Sequence, residues 1–239
     1  MTNALGRLEG LRAAGVHASS THLLVSAAAH ALANVPGLHQ IVAGTRRQRP
    51  ATVDIGLSIA GETFVAPVLV IERADQKTIA EIATEITRRT PAVQEEDRRL
   101  RQRLRRWGWL LPFGSVRRLV LRVLFASGTF RRKGVGSLQV STVPVDWALS
   151  ATFAAPGVLV GGQTWSRVVV VDGQPAVRPV MTLTLSSDHG VWDGRAVARL
   201  LAAVKMELEA VAVQDSGAAP DGRSPGVKSS EQIRADLNP

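Results

Sequence analysis

The residues best suited to chemistry lie in one short segment, Ser186–Gly194, which reads SSDHGVWDG. A strand-like run precedes this segment and a helical pattern follows it, so we expect a turn at the edge of a sheet. A histidine side chain free in water has a pKa of about 6.5, so the residue type of His189 suits a general base near neutral pH. Asp193 can orient the histidine or lock the turn, and Gly194 permits an unusual backbone angle beside it. The same spacing also occurs in purely structural turns, and the pair alone does not separate the two interpretations.

The wider stretch TLTLSSDHGVWDGRAVARLL resembles the signature of the catalytic domain of dihydrolipoyl acyltransferases. Those proteins are the core subunits of 2-oxoacid dehydrogenase complexes and are related to chloramphenicol acetyltransferase. The shared element is His-x-x-x-Asp-Gly, here His189, Asp193 and Gly194, preceded by Asp188. Four other stretches resemble the family in the same order: THLLVSAAAHALANVPGLHQ, VDIGLSIAGETFVAPVLVIERADQKTIAEIATEI, GSLQVSTV and PGVLVGG. The resemblance implies an α+β, chloramphenicol acetyltransferase-like fold, in which helices flank a mixed β-sheet.

The resemblance also implies a role for each residue of the site. His189 would take the proton from an attacking hydroxyl or thiol. Ser141 would donate a hydrogen bond to the oxyanion of the tetrahedral intermediate. Asp193 would hold the active-site turn through a salt bridge, and Asp188 and Gly194 would shape that turn. The residues expected to line the substrate channel are Thr142, Trp192 and His39.

The activity implied is acyl transfer from acetyl-CoA, or from a carrier-bound thioester, to the hydroxyl of a small metabolite. No tightly bound cofactor and no metal site are expected, because no Gly-rich phosphate loop or cluster of metal ligands appears. Family members form trimers in which the histidine of one subunit faces the serine of its neighbour, so a homotrimer is expected. In size and composition the chain resembles relatives from antibiotic biosynthesis, a branch of secondary metabolism, which O-acetylate a hydroxymethyl tetronate.

The chain departs from the family pattern at several points. Gly190 stands where the complex-forming enzymes usually carry arginine, and Trp192 replaces a small aliphatic residue. The strands and basic motif that precede the first helix in the family have no counterpart, so Asp193 has no assigned partner. No lipoyl-lysine domain or peripheral-subunit-binding domain precedes the catalytic region. We therefore expect a stand-alone relative rather than the core of a 2-oxoacid dehydrogenase complex.

The formal charge of +9 taken alone suggests a nucleic acid or an anionic membrane as partner. The segment from Arg88 to Lys133 holds 14 basic and 3 acidic residues, a net charge of +11, whereas the rest carries −2. The fold itself is thus nearly neutral, and no nucleic-acid partner is expected. Glu95–Arg106 and Leu119–Phe125 mark this segment as a basic amphipathic helical insertion. It either packs on its own domain, where it could cover the acyl channel, or approaches the phosphates of CoA, or contacts a membrane or a partner.

The alternative function is a non-catalytic scaffold or membrane-docking subunit that keeps the acyltransferase fold. We expect residues 1–213 to form the catalytic domain, with the insertion at 88–133 and a disordered tail at 214–239. The chain has no Cys, no secretory signal and no uninterrupted apolar run of about 18 residues, which favours a cytoplasmic protein. Predicted helices are Thr21–Leu38, Gln76–Arg89 and Arg195–Val211. Predicted strands are Thr52–Ile59, Phe64–Ile71, Ser137–Val143, Val158–Val160, Val168–Val171 and Val180–Ser186, with turns at Gly61-Glu62 and Asp172-Gly173.

Overall fold

A computed structural model describes residues 1–43, 46–61, 66–107, 127–152 and 155–210, with positions 114, 118, 119 and 123 between the third and fourth ranges. The helices are α1 (Thr2–Ala13), α2 (Ser20–Asn34), α3 (Ile79–Trp107), α4 (Gly128–Val135) and α5 (Gly194–Glu209), with a 3-10 turn at Ala74–Gln76. The strands are β1 (Ile41–Ala43), β2 (Arg46–Gln48), β3 (Ile55–Ser58), β4 (Val68–Ile71), β5 (Leu138–Thr142), β6 (Gly157–Gly161), β7 (Trp165–Val171), β8 (Gln174–Val180) and β9 (Leu183–Ser187). None of the helices described is long and apolar enough to cross a membrane.

A five-stranded mixed sheet forms the centre of the fold, in the order β4-β3-β5-β6-β9. Strands β3, β5 and β6 run parallel to one another, whereas β4 and β9 lie antiparallel at the two edges. Two further hairpins, β1–β2 and β7–β8, stand outside this sheet. The order and directions fix which strand ends lie together, and these strand ends carry the candidate site.

The two faces of the sheet differ in chemistry. Side chains alternate along a strand, and residues paired across strands share a face. One face enters the hydrophobic core with Ile55, Leu57, Leu138, Val140 and Leu159. The opposite face carries Ser58, Gln139, Ser141, Thr184 and Ser186. Ser141 therefore points away from the core beneath the helices.

Helix α2 lies at the centre of the core. It begins with a capping box, in which the backbone N–H of Ser19 donates to Nδ1 of His22 at 3.0 Å. Ala27, Ala28 and Ala31 are buried along it. Because these side chains are small, α2 packs closely against α5, the 3-10 turn and the strands below.

The predicted α+β architecture is confirmed, but strand β8 was not predicted. Pro175 and Pro179 lie in β8, and proline argues against a strand because it donates no ladder hydrogen bond. In the structure β8 belongs to the separate β7–β8 hairpin, where both prolines are tolerated. The predicted strand Val180–Ser186 therefore divides between the end of β8 and β9. The turn at Asp172-Gly173 is present, with positive φ angles of 50° and 79°.

Helix α3 continues beyond its predicted end at Arg89. It passes through Pro91 and reaches Trp107, since one proline removes a single hydrogen-bond donor and Val93 still packs on the core. The basic insertion predicted at 88–133 therefore begins inside α3. Predictions at Glu62, at residues 64–65, for most of Leu119–Phe125 and for residues 214–239 lie outside the described residues. Helix α1 and the β1–β2 hairpin were not predicted.

Candidate active site

The segment between β9 and α5 forms a tight turn that Asp188 organises. Its backbone N–H donates to the carbonyl of Pro156 at 2.9 Å, which joins the turn to the strand beside it. Its carbonyl accepts from the backbone N–H groups of Val191 and Trp192 at 2.8 and 3.1 Å. Its Oδ1 accepts from the N–H of Gly190 at 2.8 Å. One aspartate thus fixes the backbone on both sides of His189.

His189 lies at the exposed tip of this turn. Within the described part of the chain, its ring forms no hydrogen bond or ion pair. The ring therefore stands open to a substrate hydroxyl or thiol. A general base must come within hydrogen-bond reach of the proton that it takes, and the exposed ring leaves room for that approach.

Asp193 acts as the N-cap of α5. Its Oδ1 accepts from the backbone N–H of Ala196 at 2.8 Å, close to the positive end of the helix dipole. The resemblance implied a salt bridge for this residue. Among the described residues Asp193 forms no ion pair, because its carboxylate caps the helix instead. Asp193 thus stabilises the turn from the helix side. Gly194 is the first residue of α5 and its φ is not positive, so the unusual backbone angle expected there is not found.

Arg47 is a further residue that contacts the turn, and this contact was not predicted from the sequence. It lies on β2, and its Nη2 donates to the carbonyl of Gly190 at 2.8 Å. The β1–β2 hairpin thereby holds the residue that follows His189. Arg47 is one of several arginines in its segment, so no local pattern singles it out.

Trp192 lies in the core and does not line an open channel, which corrects the expectation for this residue. Its side chain is 3% exposed, and its Nε1 donates to the carbonyl of Leu38 at 3.0 Å. A Cβ placed on Gly157 would lie 2.5 Å from Cζ3 of the indole ring. The absence of a side chain at Gly157 therefore makes room for Trp192, which anchors the turn in the core.

His39 is also buried, at 4% exposure. Its Nε2 lies 2.9 Å from Oγ of Ser137, and burial lowers the pKa of His39, with a further lowering by the positive charge of Arg49. The ring borders a cavity of about 340 Å³ that Arg49, Thr52 and Asp75 also line. His39 therefore belongs to a separate cavity and not to the exposed tip of the turn.

Ser141 and Thr142 end strand β5 and point to opposite faces of the sheet. The hydroxyls of Thr142 and Thr21 lie 2.8 Å apart and share a hydrogen bond. Thr142 also lines an open groove of about 540 Å³ with Ser20 and Gln163. Ser141 is half-buried on the polar face. Thr142 thus borders a groove wide enough for a small ligand.

A single chain does not bring Ser141 and His189 together. Ser141 pairs with Val160, which pairs with Thr184, three residues before the end of β9. With about 3.3 Å per residue and about 4.8 Å between strands, Ser141 and Ser187 are about 14 Å apart. His189 lies two residues farther along the chain. One thioester carbonyl cannot contact both side chains within one subunit.

Metal ligands are not clustered in the part of the chain that the structure covers. No group of three or more His, Asp or Glu side chains there is arranged to hold a metal ion.

Comparison with known proteins gives consistent matches. The family model of the 2-oxoacid dehydrogenases acyltransferase (catalytic domain) matches residues 3–102 and 156–213. The chain is 30% identical to the dihydrolipoyllysine-residue succinyltransferase component of the 2-oxoglutarate dehydrogenase complex of Bartonella vinsonii subsp. berkhoffii. That alignment covers 82% of this chain and 41% of the relative. The chain therefore spans about two fifths of the length of this curated relative.

Two solved structures share the fold. A probable dihydrolipoamide acetyltransferase from Listeria monocytogenes has a TM-score of 0.67 at 20% identity, over 90% of this chain and 82% of that one. The dihydrolipoamide acetyltransferase of Azotobacter vinelandii has a TM-score of 0.62 at 18% identity, over 86% and 75%. At these identities the likeness shows the fold alone, and the predicted fold is confirmed.

Proposed function

Since this chain belongs to the family of 2-oxoacid dehydrogenase acyltransferase catalytic domains, we propose that it moves an acyl group from a CoA thioester to the hydroxyl of a small metabolite. Residues 1–213 would form the catalytic domain, and the family match ends at the same residue. No bound cofactor takes part, and CoA is the donor's leaving group.

His189 is the general base of the proposed reaction. Its neutral imidazole takes the proton from the acceptor hydroxyl as the oxygen attacks the thioester carbonyl. The tetrahedral intermediate then collapses and the C–S bond breaks. The departing CoA thiolate takes the proton back from the imidazolium. The exposed ring at the tip of the turn supports this assignment, because both substrates can reach it.

Ser141 stabilises the charge that forms on the carbonyl oxygen. Its hydroxyl donates a hydrogen bond to the oxyanion, an interaction typically worth about 3–4 kcal/mol in the transition state. A relative offers a parallel: in the Azotobacter vinelandii acetyltransferase, a serine, a histidine and an asparagine were studied for their roles in catalysis. That histidine and asparagine are four positions apart, as are His189 and Asp193.

The active site is completed between two copies of the chain. The observation that carries this proposal is the separation of about 14 Å or more between Ser141 and the histidine turn within one subunit. A cyclic homotrimer can place the turn of one copy against the polar sheet face of the next. Each of its three interfaces would then hold one His189 and one Ser141.

Within the proposed classes of thioester donor and hydroxylated acceptor, one compound of each class should be tested first. Acetyl-CoA is the first donor to test. Among small hydroxylated metabolites, a tetronate-like intermediate of natural-product biosynthesis is the first acceptor. Its support is compositional: 25 of the 29 basic residues are arginine, a bias typical of GC-rich bacterial genomes. The proposed reaction class does not depend on this choice.

The proposal is tested by incubating the chain with acetyl-CoA and hydroxylated acceptors, with mass spectrometry for the acetylated product. The His189→Ala variant is expected to lose about 10²- to 10⁴-fold in rate, because general base catalysis is worth that much. His17→Ala serves as the control, since His17 is also an exposed histidine. Full activity in His189→Ala would remove the base assignment. A folded wild-type chain without turnover on any thioester would favour the scaffold alternative.

A further inference from the structure

The carboxyl half of α3 lies beyond the hydrophobic core. The first half of the helix packs on the hydrophobic core through Ile79, Ile82, Ile86 and Val93. Residues Arg98–Trp107, which we call the basic arm, continue the helix for about 15 Å. Leu100, in this arm, is exposed and does not belong to the described core.

The charge of the basic arm is of one sign. It contains six arginines and no acidic residue: Arg98, Arg99, Arg101, Arg103, Arg105 and Arg106. Glu95 and Asp97, one turn earlier, pair with the first three arginines. The other three are exposed and form no hydrogen bond or ion pair with any described residue. In the sequence, the stretch without acidic residues extends from Arg98 to Val145 and holds 12 basic residues.

Apolar residues share one side of the basic arm. In the sequence, positions 100, 104 and 107 carry apolar residues, and this helical spacing puts the three positions on one face, between two rows of arginine positions. Leu100 is 53% exposed. Two later positions, Leu119 and Val123, are 61% and 64% exposed. A helix with an apolar stripe between cationic rows is typical of helices that lie in the interface of a membrane.

From this geometry we infer that the basic arm binds a membrane surface that contains anionic lipids. A flat surface can contact both arginine rows at once, and the acyl boundary below the headgroups receives the apolar stripe. A nucleic acid would match the charge but would leave Leu100 without an apolar partner. The inference concerns a surface outside the proposed catalytic residues and does not rest on acyl transfer.

The arm also has a defined position relative to the sheet. Gln94, one residue after Val93, donates from Nε2 to the carbonyl of Ala60 at 2.8 Å. Ala60 follows the carboxyl end of β3, beside the end of β5 that carries Ser141. A docked arm would therefore bring the Ser141 end of the sheet toward the lipid surface.

Co-sedimentation of the full chain with lipid vesicles tests this inference. We expect binding to phosphatidylcholine vesicles with about 30% phosphatidylserine, little binding to pure phosphatidylcholine, and release when the ionic strength rises from about 0.1 M to about 0.5 M. Each arginine near an anionic surface contributes about fivefold to the partition coefficient. The triple variant Arg103→Gln, Arg105→Gln, Arg106→Gln should therefore bind about 100-fold more weakly. Leu100→Gln should weaken binding through the apolar contact alone.

A matched variant controls for net charge. Arg12→Gln, Arg178→Gln, Arg199→Gln removes three exposed arginines from other surfaces, and its partition should stay within about twofold of wild type. Circular dichroism should show equal helix content in all variants. Equal loss in both triple variants would overturn the inference, as would no binding of the wild-type chain to anionic vesicles. Tighter binding to duplex DNA than to vesicles, with no effect of Leu100→Gln, would assign the arm to nucleic acid instead.

Discussion

Two inactive variants of this chain should restore activity when they are mixed. One variant is His189→Ala, which keeps Ser141, and the other is Ser141→Ala, which keeps His189. Within one subunit the two residues are separated by about 14 Å or more along and across the sheet. If a cyclic trimer supplies them from neighbouring copies, a mixed trimer contains interfaces with both residues intact.

The expected recovery follows from counting interfaces. An intact site takes its His189 from a Ser141→Ala copy and its Ser141 from a His189→Ala copy. In an equal random mixture each condition is met about half of the time, so about a quarter of the sites are intact. Each pure variant should retain at most about 1% of the activity, because the base and the oxyanion donor are each worth about 10²-fold or more. The mixture should therefore exceed either pure variant by at least about 25-fold.

The assay measures release of the CoA thiol from acetyl-CoA after the variants are co-expressed with different affinity tags. A second mixture, of wild type with the double variant His189→Ala, Ser141→Ala, provides the control. Sites between subunits predict about a quarter of full activity for it, whereas sites within one chain predict about half. Activity no higher than the mean of the pure variants, together with half activity in the control, would refute the intersubunit site.

Three other predictions concern the residues around the turn. Gly157→Ala should lower the free energy of unfolding by about 1–3 kcal/mol in urea titrations, because the new Cβ overlaps the ring of Trp192. Arg47→Gln should lower kcat, since it frees the carbonyl of Gly190. The free energy of unfolding should change by less than about 0.5 kcal/mol. An unchanged kcat would show that the contact does not position His189 for catalysis. Burial lowers the pKa of His39 in the folded chain, so the unfolded chain takes up a proton first as the pH falls through about 6.5. Stability should therefore decrease below that pH, and His39→Gln should make the decrease shallower in urea titrations at several pH values.

The elements that carry the candidate site were predictable because their signals are local. The predicted strand Ser137–Val143 differs from β5 by one residue at each end, since an apolar run is bounded by Gly136 and Pro144. The turn before α5 follows from the spacing of Asp188 and Asp193. The order of the strands was not predictable, because β3 pairs with β5 across a long connection. The separation of Ser141 from His189 depends on that order and therefore required the structure.

The residues that support the turn were harder to identify. Arg47 and Gly190 are 143 positions apart, so no spacing pattern relates them. Trp192 was expected to line the channel, but its ring lies in the core. Its burial depends on Gly157, whose missing side chain leaves space for the indole ring. Such complementarity between distant positions cannot be read from one sequence.

The long connection from β4 to β5 can change in length over part of its course without disturbing the sheet. Residues 72–137 separate the two strands, yet Ile55 of β3 pairs with both Ile71 and Leu138. The entropy of closing a flexible connection grows only with the logarithm of its length, so halving or doubling it changes stability by about 0.6 kcal/mol. Because the first half of α3 packs on the core and α4 contacts β1, β3 and β4, this tolerance applies only to the sequence between those two parts. Selection on the length and charge of the basic arm can proceed separately from selection on the strands that carry the site.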